Sequence, residues 1–237
     1  MLDELELTGR VRTHVVQHDE LGAALHGEVL AAFQALRQAA AAEGFDIAIA
    51  SAFRDFNAQR RIWDLKFKGE RPLYDALGKP RDFHTLTEDE IIEAILCWSA
   101  VPGGSRHHWG SEIDVFDRAA MAPGYRVRLL PEEAAPGGIF HRLHRWLDAN
   151  MERFGFFRPY RTFRGGVLPE PWHLSYAPVS LPAAARMTAR LLAAAIGESE
   201  MLGKARVVER ITEIHERYVA NIDPPPTRSS EFISDLP

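Results

Sequence analysis

At 237 residues, 46% of them hydrophobic, the chain can bury a full core without disulfide or metal staples. Its one cysteine, Cys97, excludes an internal disulfide framework and every thiolate-rich zinc site. A formal charge of −5 argues against nucleic-acid binding by the domain as a whole, and no apolar run reaches transmembrane length.

The start, Met1-Leu2-Asp3-Glu4-Leu5-Glu6, is acidic and lacks the basic and apolar regions of a secretory signal. The expected location is therefore cytoplasmic, or periplasmic if the start has been trimmed. A short extended lead passes into an expected helix from about His18 to Glu43, where Leu21, Leu25, Val29, Phe33 and Leu36 recur at helical spacing. Gly44 stops it, and Phe45 to Ala50 alternates large and small apolar residues like a buried strand. Ser51-Ala52-Phe53-Arg54 follows, so Arg54 projects from a strand end, and Asp55 to Phe67 resumes a helical pattern.

Residues 68–86, rich in Gly, Pro and charge, read as a surface excursion. Thr87-Glu88-Asp89-Glu90 resembles a capping box and opens a helix to Trp98; Cys97 reads there as a small buried residue rather than a nucleophile. Pro102-Gly103-Gly104 delivers the chain to Ser105–Asp114. Beyond it Ile113, Val115 and Phe116 suit a half-buried strand. Residues 119–138 read as a loop over the site's rim, and Ile139 to Phe154 as a helix. Phe156 to Tyr176 reads as short strands and turns with Gly165-Gly166 at a hairpin tip. Two helices, Ala183–Ile196 and Glu198–Ile222, break at Gly197, and a polar tail ends the chain.

Two metal-capable side chains, His107 and Asp114, flank a turn glycine, and His173 in Glu170-Pro171-Trp172-His173 is the natural third ligand. Two imidazoles and a carboxylate suit zinc better than calcium or magnesium, and three protein ligands leave a fourth position for water. Hydrolysis then needs a base, for which Glu170 is placed three residues before His173. It also needs a positive group for the developing oxyanion, and Arg54 is permanently charged. His108, beside a candidate ligand, is expected to support the ligands from behind or to face solvent rather than to ligate, and His141 and His144 to lie at a core edge or in solvent.

These residues form three ordered motifs: Ser-x-Phe-Arg with Gln five positions on (Ser51, Phe53, Arg54, Gln59), Ser-x-His-x-x-Gly-x-x-x-Asp (Ser105, His107, Gly110, Asp114) and Glu-x-Trp-His (Glu170, Trp172, His173). Together they resemble the VanY-like zinc D-Ala-D-Ala and L,D-carboxypeptidase group of the superfamily that unites lysostaphin, D-Ala-D-Ala metallopeptidases and hedgehog. The resemblance implies that Arg54, Gln59 and Ser105 hold the substrate's terminal D-amino acid and its carboxylate and that Trp172 walls the pocket; Tyr160 is a further candidate that no motif anchors. Glu112 departs from the pattern, which often carries a small residue there. Pointing inward, it would bind a substrate amine or perturb the metal; pointing outward, it has no role in the site.

The expected fold is α+β, with a small, mainly antiparallel sheet flanked by helices. A zinc peptidase domain spans 1–182, a helical extension 183–222 and a tail 223–237. The expected function is a Zn2+ metallocarboxypeptidase releasing terminal D-alanine from peptidoglycan stem peptides or muropeptides, with no nucleic-acid partner and no membrane span. A non-catalytic zinc domain that binds wall peptides or a protein, and a phage-type endopeptidase, are the rival readings.

Overall fold

The computed structural model describes residues 1–225. Most of the expected tail, 226–237, lies outside the described residues, while Asp223 at its start is tied down by the Pro159 carbonyl and by Thr162. The chain begins with a one-turn helix, α1 (Glu4–Leu7), closed by an Asp3–Glu6 capping box. An antiparallel hairpin follows, β1 (Val15–His18) and β2 (Ala23–His26). This corrects the expected helix from His18, since only Val29–Ala42 is helical (α2). Leu21 and Leu25 fit helical spacing by coincidence; Gly22, at φ +63°, turns the hairpin.

The main sheet has four antiparallel strands in the order β3 (Ile47–Ser51), β4 (Glu112–Asp117), β6 (His173–Tyr176) and β5 (Phe156–Phe157). Between β3 and β4 run α3 (Phe56–Phe67), capped by Asp55, and α4 (Glu88–Leu96), opened by the Thr87–Glu90 capping box. After β4 come α5 (Pro131–Ala134) and α6 (His141–Asn150). β5 and β6 pair across a connection from Arg158 to Trp172, so Gly165-Gly166 sits in a long loop rather than at a tight hairpin tip. The end is more broken than expected: α7 (Ala177–Arg186), α8 (Ala189–Gly197), α9 (Lys204–Glu209), α10 (Ile211–Ile214), then a π turn to Val219.

Alternation along the strands separates two environments. Ile113 and Val115 of β4 and Leu174 of β6 pack with Val29, Phe33, Leu36, Leu143 and Leu147, the inward stripes of α2 and α6. A second cluster gathers Trp63, Ile92, Ile95 and Trp109 with Leu192, Ile196, Val207, Ile214 and Tyr218, so the helices of 183–222 share a core with α3 and α4. Glu112, Asp114, His173 and Ser175 alternate with the apolar set and take the sheet's opposite face. No single helix among the described residues is long and apolar enough to cross a membrane.

Candidate metal centre

Strand register assembles the site. Ser51, Asp114 and His173 lie in one row across β3, β4 and β6, and a bulge between Ile49 and Ser51 shifts the end of β3 at that row. His107 comes from a 3₁₀ turn, Arg106–Trp109, that ends at Gly110 with φ +68°. A Cβ on Gly110 would lie 2.4 Å from Val15 and 2.8 Å from the His26 backbone nitrogen, so the hairpin packs where only glycine fits. The same turn is stitched to the segment after β3. The Arg54 N–H donates to the His107 carbonyl, and the His108 ring bridges the Arg54 carbonyl at 2.6 Å and the Gly103 N–H at 3.1 Å. His108 is wholly buried, and burial pulls its pKa down to about 3, which keeps the ring neutral for both bonds. It is structural, not solvent-facing. A Cβ on Gly9 would strike that ring at 2.3 Å.

Both candidate ligand histidines have their tautomers set from behind. His107 Nδ1 bonds the Ala52 carbonyl at 2.8 Å, leaving Nε2 free toward Asp114 at 3.4 Å. His173 Nε2 donates to Glu112 at 2.8 Å, leaving Nδ1 at 3.1 Å from Asp114 Oδ1. Those two facing atoms, His173 Nδ1 and Asp114 Oδ1, are buried without a hydrogen-bond partner. The three candidate ligand atoms lie within 4.8 Å of one another. Tetrahedral zinc with bonds of about 2.1 Å spaces its ligands by roughly 3.4 Å, so the separations fit such an ion. Burial depresses His107, and the histidines hold Asp114 well below the usual carboxylate range against the cost of its burial.

Glu112 has no exposed surface. Besides His173 it accepts from Arg106 at 3.3 Å, Ser111 at 3.0 Å and Ser175 at 2.9 Å, so the expectation that an inward Glu112 would meet a substrate amine is corrected. Its carboxylate orients His173 from behind, and Arg106, stacked on Trp109, balances its charge.

In front of His107, Asp114 and His173 lies a cavity of about 330 Å³, lined by these three and by Arg54, Ser105, Tyr160, Glu170 and Trp172. Glu170 Oε2 is 3.5 Å from His173 Nδ1, and burial pushes its pKa up to about 7, the range of a general base at neutral pH. Arg54 is half-buried, its guanidinium held by Gln59 Oε1 at 2.7 Å and Ser51 Oγ at 2.8 Å. Gln59, expected to touch substrate, is instead fully buried behind Arg54 and donates to the Ala100 carbonyl at 2.6 Å. It positions the arginine. Tyr160 lies edge-on to His173, and Trp172 stacks on Trp98 across 6.5 Å.

Sequence reasoning missed Lys66, Arg71, Tyr74, Trp98 and Ser99, which also line the cavity. Lys66 lies two helical turns beyond Gln59, a signal available in the sequence. Arg128, Leu129 and Leu130 bring the 119–138 segment into the wall. His144 is buried against Arg158, away from the site, and Cys97 is half-buried with its thiol pKa raised by burial.

A family model described as "VanY: D-alanyl-D-alanine carboxypeptidase" matches residues 22–179. A D-alanyl-D-alanine carboxypeptidase of Enterococcus faecalis is 32% identical over 146 residues, which cover 60% of this chain and 44% of that protein. Among solved structures, VanYB in complex with D-alanine-D-alanine is 27% identical with a TM-score of 0.51, covering 73% of this chain and 82% of that one. A mutant of the vancomycin resistance D,D-pentapeptidase VanY in complex with Zn(II) gives 27% and 0.50, covering 70% and 79%.

Proposed function

The chain belongs to the VanY family of D-alanyl-D-alanine carboxypeptidases, and on that footing we propose that it is a zinc metallocarboxypeptidase that removes terminal D-alanine from peptidoglycan stem peptides. The observation that carries this reading is the facing pair of unpartnered buried atoms on Asp114 and His173, with Glu170 beside them. Two imidazoles and a carboxylate in this spacing favour zinc, and a related VanY structure is described with Zn(II). Zinc held by His107, Asp114 and His173 would supply Lewis acidity, lowering the pKa of water and polarising the scissile carbonyl.

The chain's own residues do the rest. Glu170 takes the proton of the attacking water and returns it to the leaving amine of D-alanine. Arg54, fixed by Gln59 and Ser51, turns a permanent positive charge toward the substrate's anionic oxygens. Ser105 and the Trp172 wall border the space for the departing residue.

The test uses zinc-loaded protein with tri-, tetra- and pentapeptide stems and reads product masses. Loss of one alanine from the tetrapeptide assigns an L,D-carboxypeptidase, and loss only from the pentapeptide assigns a D,D-carboxypeptidase. No turnover with zinc bound overturns the proposal. A Glu170→Ala protein that keeps full activity removes Glu170 from its role; the expected loss is about 10²- to 10⁴-fold.

A further inference from the structure

The cavity holds more positive charge than one terminal carboxylate requires. Arg54, Lys66, Arg71, Arg106 and Arg128 all line it, against the carboxylates of Asp114 and Glu170. Arg106 is matched by Glu112, and Arg128 by Glu132 at 2.6 Å. Arg54, Lys66 and Arg71 have no carboxylate within ion-pair distance among the described residues. A divalent metal offsets Asp114 and Glu170 almost evenly, so three cations face the substrate. Arg54, held by Gln59 and Ser51 beside the metal row, suits the D-alanine terminus. Two cations are left over.

Lys66 is the informative one. It is half-buried and donates to Ser99 Oγ at 2.6 Å, another residue of the cavity wall, which leaves two of its three ammonium hydrogens uncommitted. Burial, with Arg71 and Arg54 nearby, pulls the ammonium down to about 8, although Glu170 favours its charge. An ammonium kept half out of water beside two other cations is stabilised by an anion that arrives with the ligand. Arg71, exposed at the same wall, can reach the same anion from the solvent side.

We propose that Lys66 and Arg71 form a second anion subsite, which selects substrates bearing a side-chain carboxylate on the acyl side of the scissile bond. The diaminodicarboxylic acid of many stem peptides has that group, and lysine at the same position does not. This deepens the proposed function and rests on it.

The experiment compares kcat/KM on three stem peptides of whichever length the enzyme cleaves, identical except at the third residue: meso-diaminopimelate, its side-chain carboxamide, and L-lysine. The expected preference for the free carboxylate is about 10- to 100-fold over both others, the worth of a charge-assisted hydrogen bond. Lys66→Met and Arg71→Met should each shrink that ratio through KM for the dicarboxylate substrate, and the exposed Arg71 site gives a readout even if Lys66→Met folds poorly. Equal hydrolysis of all three peptides by the unmodified enzyme overturns the subsite and leaves the carboxypeptidase reading intact. A Lys66→Met protein weakened equally on all three overturns it too, because Lys66 would then hold the common D-alanine end. Hydrolysis of none removes both readings.

Discussion

The two faces of β4 and β6 are buried to the same degree and built from opposite chemistry. Ile113, Val115 and Leu174 have no exposure and pack on α2 and α6, while Glu112, Asp114, His173 and Ser175, one residue out of phase, are at most 4% exposed. The apolar face tolerates burial because its side chains ask only for contact. The polar face tolerates it because nearly every donor and acceptor is matched, from Arg106 through Glu112 to His173. Matching stops at Arg106 Nη1, Asp114 Oδ1 and His173 Nδ1, and the last two face each other where a cation could sit. The same strands thus supply stability on one side and a candidate metal-binding set on the other.

That contrast can be broken most sharply at the unfinished point. Asp114→Ala removes the candidate ligand between the two histidines and should abolish activity and stoichiometric zinc retention, as should chelation of the unmodified protein, with zinc restoring only the latter. Metal content by mass spectrometry checks this, and a variant that keeps one tightly bound zinc would sink the ligand assignment. Leu174→Ala, one position along β6, should cost about 2–5 kcal/mol in denaturant unfolding by leaving a cavity. Its zinc affinity, measured well below the unfolding midpoint, should hold. If zinc affinity falls in step with stability, the two faces are not separable.

Glu112→Gln probes the link between them. The Glu112–His173 bond orients a candidate ligand from behind, so zinc affinity by chelator competition should weaken about 10- to 100-fold. Unchanged affinity would make the contact incidental. At neutral pH the smallest effect concerns protonation and lies outside the sheet. Burial beside Arg158 takes the His144 pKa down to about 3. Above the unfolded value of about 6.5 the ring is neutral in both states and contributes nothing. As pH falls toward 3 the unfolded chain binds a proton that the fold refuses, and stability should drop by up to about 1.4 kcal/mol per pH unit. His144→Gln should flatten that slope in urea midpoints measured from pH 7 to 4; an unchanged slope refutes it.

The site was legible where chemistry constrains neighbours in sequence. Arg54, His107, Asp114, Glu170 and His173 were readable because turn, strand and ligand identity coincide in short motifs. The inward direction of Glu112 was readable too, since Ile113 and Val115 on the apolar face force it to share a side with Asp114. The first hairpin was misread because Leu21, Leu25 and Val29 satisfy helical spacing, while Gly22 and Gly27 mark a turn and a strand end. Gln59 kept its place in the motif but turned out to act through Arg54. What no local pattern could show is that Arg128 joins Lys66 and Arg71 at one cavity, from a second, distant stretch of chain.

The stitching of the Arg106–Trp109 turn to the segment after β3 has a consequence for the order of assembly. His107 hangs from Ala52 and Arg54, and His173 must then pair with β4, so the donor set closes only after two long loops have formed. Loop closure of that kind comes late and slowly. Metal should therefore bind a finished fold rather than template it, raising the population of the native state by mass action without hastening its formation.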